Sequence, residues 1–234
     1  MNHYALVPAA GGGARMGAEV PKQYLPLLGR PLIWHTLAAL CAVPALARVF
    51  VVLSADDVQW DRFDWSAFGG RVEVLRCGGA TRADSVTNGL RSLSRRVGAD
   101  DWMLVHDAAR ACLTRDHVEA LMREVGDDAV GGILAVPVAD TLKRAEGATV
   151  AGARSEATVP RERLWQAQTP QMFRHALLLD ALERAPAVTD EASAVEALGL
   201  RPRLVAADAT NLKVTYPLDL HLAEIILRDR EQKT

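Results

Sequence analysis

The chain has 234 residues and a mass of 25.3 kDa, with 50% hydrophobic residues, 24% charged residues and a mean hydropathy of +0.04. These values suit one α/β domain or at most two small ones and argue against disorder. The net charge of −2 and pI near 6.3 exclude non-specific binding to nucleic acid or a membrane surface as an expectation from charge alone.

No uncharged apolar run is long enough to span a bilayer, and Met1-Asn2-His3-Tyr4 enters an apolar strand with no basic n-region ahead of it. The expectation is a soluble, cytoplasmic protein. Three cysteines, Cys41, Cys77 and Cys112, stand at wide spacing with no C-x-x-C. Free thiols are expected, rather than a disulfide framework or a zinc site.

In chain order, Tyr4–Pro8 reads as a buried strand and Leu32–Cys41 as a helix. Val49–Leu53 and Val72–Leu75 read as strands, Arg82–Leu93 as a helix, Trp102–Val105 as a strand, His117–Val125 as a helix and Gly132–Val136 as a strand. The alternation predicts a largely parallel sheet with helices on both faces, and strands that are apolar throughout support it. The rhythm breaks over 137–169, which is polar, basic and rich in Gly, Ala and Thr. A structureless loop of that length is improbable, so a projecting β-arm is expected there. Helices resume at about Arg174–Arg184 and Asp190–Leu198, followed by a strand pair near Leu204–Ala206 and Leu212–Val214. A last helix runs from Pro217 to about Arg228, with Pro217 suited to its first turn. The expected fold is an α/β three-layer sandwich with a mostly parallel, Rossmann-like central sheet and a projecting β-arm.

After the first strand comes Val7-Pro8-Ala9-Ala10-Gly11-Gly12-Gly13-Ala14-Arg15-Met16-Gly17, then Pro21-Lys22. Glycines here let a backbone approach a ligand and turn its N–H groups toward phosphate oxygens. A Walker A loop is excluded because Ala18-Glu19 follows Gly17, and a Rossmann fingerprint because Met16 fills the third glycine slot. Arg15 inside the loop and Lys22 after the proline suit a reaction that develops charge on a polyphosphate. A mobile glycine turn with solvated cations is the alternative reading of the bare loop.

The pattern from Pro8 to Tyr24, Pro-Ala-Ala-Gly-x-Gly-x-Arg-Met followed by Pro-Lys-Gln-Tyr, resembles the signature of nucleotidyltransferases that join a nucleoside triphosphate to a sugar or polyol phosphate. Its Pro-Lys-Gln-Tyr ending is similar to that of the 2-C-methyl-D-erythritol 4-phosphate cytidylyltransferases of the non-mevalonate isoprenoid pathway. The resemblance continues along the chain as far as Pro217, and it implies a single nucleotidyltransferase domain over 1–234 with the arm at 137–169 inside it. It makes Arg15 and Lys22 the catalytic cations, and Ala10, Gly11 and Gly13 part of the CTP cradle.

Gly78-Gly79-Ala80-Thr81-Arg82-Ala83-Asp84-Ser85-Val86 reads alone as a tight turn feeding a helix N-terminus. By resemblance it is the base-reading loop, with Gly79 and Ser85 contacting CTP. His106-Asp107-Ala108-Ala109-Arg110 closes the fourth strand, at the sheet edge where ligands usually bind. Asp107 there either caps the following turn or meets Mg²⁺, directly or through water, beside the nucleotide. Ala111 stands where the family pattern has proline.

The 137–169 arm contains Asp140-Thr141-Leu142-Lys143, Thr158-Val159-Pro160-Arg161 and Thr169-Pro170-Gln171. Alone it reads as a solvated β-ribbon. The resemblance implies a homodimer in which this arm crosses to the neighbouring subunit. Arg161 then grips the acceptor phosphate, whose planar guanidinium partner suits bidentate binding. Thr141, Thr169, Thr189 and Arg110 become acceptor contacts. Thr189 also reads independently as a helix N-cap with acids in the first turn behind it. Lys213, alone, is a lysine guarding an edge strand; by resemblance it positions a phosphate.

The implied activity is transfer of a cytidylyl group from CTP to 2-C-methyl-D-erythritol 4-phosphate, with Mg²⁺ as cofactor. Two alternatives stand beside it: a cytidylyltransferase for another polyol phosphate such as ribitol 5-phosphate, and a non-catalytic nucleotide sensor with a dimerisation arm.

Overall fold

The protein is described from a computed structural model covering residues 1–12, 20–147, 152–185 and 188–233. In chain order it forms β1 (His3–Pro8), a 3₁₀ turn over Lys22–Tyr24, a small hairpin of β2 (Pro26–Leu27) and β3 (Arg30–Pro31), and α1 (Leu32–Cys41). Then come β4 (Leu46–Val52), β5 (Val72–Leu75), α2 (Arg82–Leu93), β6 (Trp102–Val105), α3 (Arg115–Val125) and β7 (Gly131–Pro137). The rest is β8 (Leu142–Ala145), β9 (Ser155–Val159), β10 (Trp165–Arg174), α4 (His175–Arg184), α5 (Glu191–Ala197), β11 (Arg203–Ala206) and α6 (Pro217–Glu231).

Seven strands make the central sheet, in the order β11-β7-β10-β6-β1-β4-β5. Its pairings are parallel except where β10 runs antiparallel between β6 and β7. Successive residues of β1 feed opposite faces. Ala5 and Val7 join a core with Leu37 and Leu121, while Leu6 joins one with Val86, Leu90 and Leu178. Both faces are therefore covered, by α1 and α3 on one side and α2, α4 and α5 on the other. This explains why β6 and the inner residues 5–7 of β1 and 49–52 of β4 are apolar on both faces. Val214, Cys112 and Ala223 form a third cluster, under α6.

Three expectations change. First, 165–169 belongs to the central sheet: Trp165, Gln166 and Ala167 pair with Pro137, Val136 and Ala135. Of the 137–169 segment, β8 and β9 make a separate two-stranded antiparallel ribbon, most of it exposed. Strand β10 carries Pro170 and buries the polar Gln168, Thr169 and Gln171. Neither feature matches an apolar strand pattern, and the register shifts where they occur. Second, Leu212–Val214 is not a strand. It is a connection whose Val214 N–H donates to the Ala109 carbonyl at 2.8 Å, with its apolar residues turned into the third cluster. Third, Asp190 rather than Thr189 caps α5, accepting from the Ser193 N–H at 3.0 Å.

Candidate active site

Strand β1 lies between β4 and β6, and the chain turns back across it on the way from β5 to β6. Such a reversal opens a crevice outside the carboxyl ends of the strands. There the protein has a cleft of about 320 Å³, walled by Ala10 and Gly11 after β1, Gly79 to Arg82 before and into α2, Asp107 after β6, and Lys22, Lys213 and Thr215.

The two glycine turns are fitted to one another. Gly78 donates its N–H to the Leu53 carbonyl at 2.8 Å. A Cβ on Gly78 would sit 2.4 Å from the Ala10 Cβ, so no larger residue allows this approach. The Gly79 N–H donates to Ser85 Oγ at 3.0 Å, and that hydroxyl donates to the Thr81 carbonyl at 2.9 Å. A capping box between Thr81 and Asp84 starts α2. Buried Gln23 donates to the Ala9 carbonyl at 2.7 Å, tying the Lys22–Tyr24 turn to the first loop. Its neighbour Lys22 donates from Nζ to the Val214 carbonyl at 3.1 Å.

Charge in the cleft is arranged around Asp107. Arg82 Nε donates to its Oδ1 at 2.7 Å, Lys213 Nζ lies 2.7 Å from Oδ2, and Arg110 Nε is 3.8 Å from Oδ2. Burial opposes the charge on Asp107, but Arg82, Lys213 and Arg110 outweigh it and hold the carboxyl well below the usual carboxylate range. The terminal nitrogens of Arg82 donate to both oxygens of Glu191, at 2.7 and 3.1 Å. Burial disfavours the Arg82 cation, and Glu191 with Asp107 more than restores it. Lys22, Arg82 and Lys213 face the cleft against one wall carboxylate, Asp107, which suits a polyanion.

Behind this wall lies a buried polar layer. Thr169 Oγ1 accepts the Asp107 N–H at 3.0 Å and lies 3.0 Å from His106 Nδ1. The Arg110 carbonyl, 3.3 Å from His106 Nε2, can only accept, so a neutral ring carries its proton on Nε2 and its Nδ1 accepts from the Thr169 hydroxyl. Burial pushes the His106 ring down to about 3, so it is neutral. Arg110 donates to the Asn211 carbonyl at 2.7 Å, and Asn211 donates to Gln168 Oε1 and the Thr169 carbonyl. β6, β10 and the 211–215 connection are thus locked together under the cleft.

Of the residues singled out from sequence, Ala10, Gly11, Lys22, Gly79, Ser85, Asp107 and Lys213 line one cleft. Arg110 and Thr169 are buried behind it. Thr189 is exposed beside the start of α5, and Thr141 and Arg161 are exposed on and beside the ribbon, where Arg161 donates to the Ala139 carbonyl. Arg15 and Gly13 lie outside the described residues. Sequence reasoning passed over Arg82 and the role of Glu191. A signal existed: Arg82 opens α2, where the helix dipole disfavours a cation and a partner acid is to be expected.

A cation-lined cleft at the switch point of such a sheet is a setting for an enzyme that handles phosphorylated ligands. A profile of the 2-C-methyl-D-erythritol 4-phosphate cytidylyltransferase family matches residues 3–229, and the chain belongs to that family. It is 64% identical over 228 residues to the 2-C-methyl-D-erythritol 4-phosphate cytidylyltransferase of Azoarcus sp. (strain BH72), covering 97% of this chain and 95% of that one. With the protein of the same name from Dechloromonas aromatica (strain RCB) it shares 63% over 229 residues, 98% and 99% of the two chains. A crystal structure of a 4-diphosphocytidyl-2C-methyl-D-erythritol synthase superposes with a TM-score of 0.84 at 42% identity, covering 97% of this chain and 98% of that one.

Proposed function

We infer that the chain transfers a cytidylyl group from CTP to 2-C-methyl-D-erythritol 4-phosphate. An acceptor phosphate oxygen forms a bond to the α-phosphorus of CTP. The bond from that phosphorus to the β-phosphate oxygen breaks, and pyrophosphate leaves with the electron pair. The product is 4-diphosphocytidyl-2-C-methyl-D-erythritol. The convergence of Lys22, Arg82 and Lys213 on a cleft between two close-fitted glycine turns carries this reading. The acceptor phosphate is already a nucleophile, so alignment and charge neutralisation are what the protein must supply.

In this reading the glycine turns take the nucleotide, Lys22 and Arg15 stabilise charge at the α-phosphorus and the departing pyrophosphate, and Lys213 positions the acceptor phosphate. Arg110 and Thr169 act from behind the wall, by fixing Asp107. Mg²⁺ is proposed as the cofactor, neutralising triphosphate charge when bound. Asp107 is the one acid on the cleft wall among the described residues, and no group of three or more metal-ligating side chains occurs among them. Both Asp107 oxygens are taken by Arg82 and Lys213, so an ion here would be held mainly by the oxygens of the triphosphate that brings it in.

A homodimer is proposed in which the ribbon segment presents Arg161, with Thr141 nearby, to the partner's cleft. Its support is that Arg161 is exposed beside the ribbon and does not line the cleft of its own protomer among the described residues. A cytoplasmic location accords with the composition, and no helix among the described residues is long and apolar enough to cross a membrane.

Pyrophosphate release from CTP, measured with each polyol phosphate and with and without Mg²⁺, tests the assignment. Release that requires 2-C-methyl-D-erythritol 4-phosphate and Mg²⁺ supports it. Preference for ribitol 5-phosphate, or CTP binding with no turnover, overturns it.

A further inference from the structure

We propose that Glu191 is a positioning residue for this reaction, acting through Arg82 on the Asp107–Lys213 pair at the cleft wall. The inference rests on the cytidylyl-transfer reading above. Glu191 is 1% exposed, and its two oxygens take both terminal nitrogens of Arg82, at 2.7 and 3.1 Å. The Arg82 Nε–H donates to Asp107 Oδ1 at 2.7 Å, while Oδ2 holds Lys213 at 2.7 Å. Signs alternate along this line of four side chains, and it ends on an ammonium that faces the cleft.

A packing role alone does not account for the Glu191 carboxylate. The start of α5 has its own anchors: Asp190 caps the Ser193 N–H at 3.0 Å, and Gln171 accepts the Ala192 N–H at 2.8 Å while donating to Asp190 at 2.8 Å. None of these bonds involves the Glu191 side chain. A buried ion pair is also a poor source of stability, because desolvation cancels most of its attraction and apolar residues of similar volume do as well. What the pair does secure is direction. A guanidinium held at one edge by a bidentate carboxylate has a fixed plane, so its Nε–H is aimed at one place. Arg82 therefore takes a single oxygen of Asp107 and leaves the other to Lys213. Released from Glu191, the fork can turn to take both Asp107 oxygens or an incoming phosphate, and Lys213 loses its set position.

The test is a steady-state kinetic cycle on the full chain, reading pyrophosphate release with CTP and 2-C-methyl-D-erythritol 4-phosphate. Glu191→Gln keeps the shape of the side chain and removes its charge. We expect kcat to fall by roughly tenfold to 10²-fold, the range for a small misplacement of an aligning group, with KM for CTP within about twofold. Glu191→Asp, which keeps the charge, recovers part of the loss. In an Arg82→Ala background Glu191→Gln has no further effect, because the two residues act as one unit. A Glu191→Gln enzyme that melts earlier yet turns over normally per folded molecule overturns the proposal. So does a loss that persists undiminished when Arg82 is already gone. If Glu191→Gln does not fold, the same cycle run with Glu191→Asp is decided by the same two results. A wild-type chain that releases no pyrophosphate removes the functional reading and this proposal with it; an active wild type beside an unaffected Glu191→Gln removes this proposal alone.

Discussion

The Lys213 ammonium is held 2.7 Å from Asp107 Oδ2, although Asp107 follows β6 and Lys213 lies in the connection between β11 and α6. Asp107 is nearly buried, at 7% exposure, and Arg82 occupies its other oxygen. Asp107→Asn keeps the shape and removes the counter-charge facing Lys213, Arg82 and Arg110, of which Arg82 keeps Glu191. Arg82 and Lys213 are 27% and 38% exposed, so the expected cost is about 1–3 kcal/mol, the range for leaving a polar partner unsatisfied. A fall of that size in unfolding free energy by urea titration, together with weaker turnover, is the expected outcome; an unchanged midpoint contradicts it.

Lys22 is poised from its own short turn, which Gln23 fastens to the glycine loop. Lys22→Ala is expected to lower kcat by roughly 10²-fold or more, the cost of losing one preorganised charge donor. Steady-state kinetics should show the loss in turnover rather than in CTP affinity, with little change in the melting temperature.

Gly78 and Gly11 predict opposite results for the same substitution. A Cβ at Gly78 would meet the Ala10 Cβ at 2.4 Å and the Leu53 carbonyl oxygen at 2.9 Å, whereas a Cβ at Gly11 meets nothing within 4 Å among the described residues. Gly78→Ala should destabilise the protein by about 1–3 kcal/mol, as overpacking does. Gly11→Ala should leave stability nearly unchanged. Thermal melts of the two variants side by side check this.

His106 predicts an acid limit to stability. Its ring is pushed down to about 3 by burial, against about 6.5 when unfolded. Between those values the unfolded chain binds the extra proton, so this contribution is complete above about pH 6.5 and is lost as pH falls toward 3. The slope from this one group reaches at most about 1.4 kcal/mol per pH unit. Urea unfolding between about pH 7 and pH 5 should show a shallower pH dependence in His106→Gln than in wild type, by about one proton; equal slopes contradict the assignment.

Much of this was legible beforehand, for reasons that differ by element. α1, β5, α2 and β6 fall where apolar runs place them, because each packs apolar side chains against the core. β10 hid itself by burying Gln168, Thr169 and Gln171, whose hydrogen bonds replace the apolar contacts a pattern reader looks for. The apolar Leu212 and Val214 suggested a strand but serve the cluster beneath α6. In the site, the glycine turns and Lys22 could be read as motifs. The Arg82–Glu191 pair could not, because it joins residues from two helices whose meeting is a property of the fold.

Arg161 gives a test of the assembly. If its guanidinium serves the partner's cleft, mixing inactive Lys22→Ala and Arg161→Ala chains and allowing exchange creates one intact site per mixed dimer. Turnover should return to roughly a quarter of wild type under random pairing. No recovery after exchange contradicts an action in trans.

The most direct test of the account is ³¹P NMR of the chain incubated with CTP, Mg²⁺ and 2-C-methyl-D-erythritol 4-phosphate. The account predicts two coupled diphosphate resonances of the cytidylyl product rising in step with pyrophosphate, and far slower product formation with ribitol 5-phosphate. CMP with pyrophosphate and no diphosphate ester, or equal use of both acceptors, would contradict it.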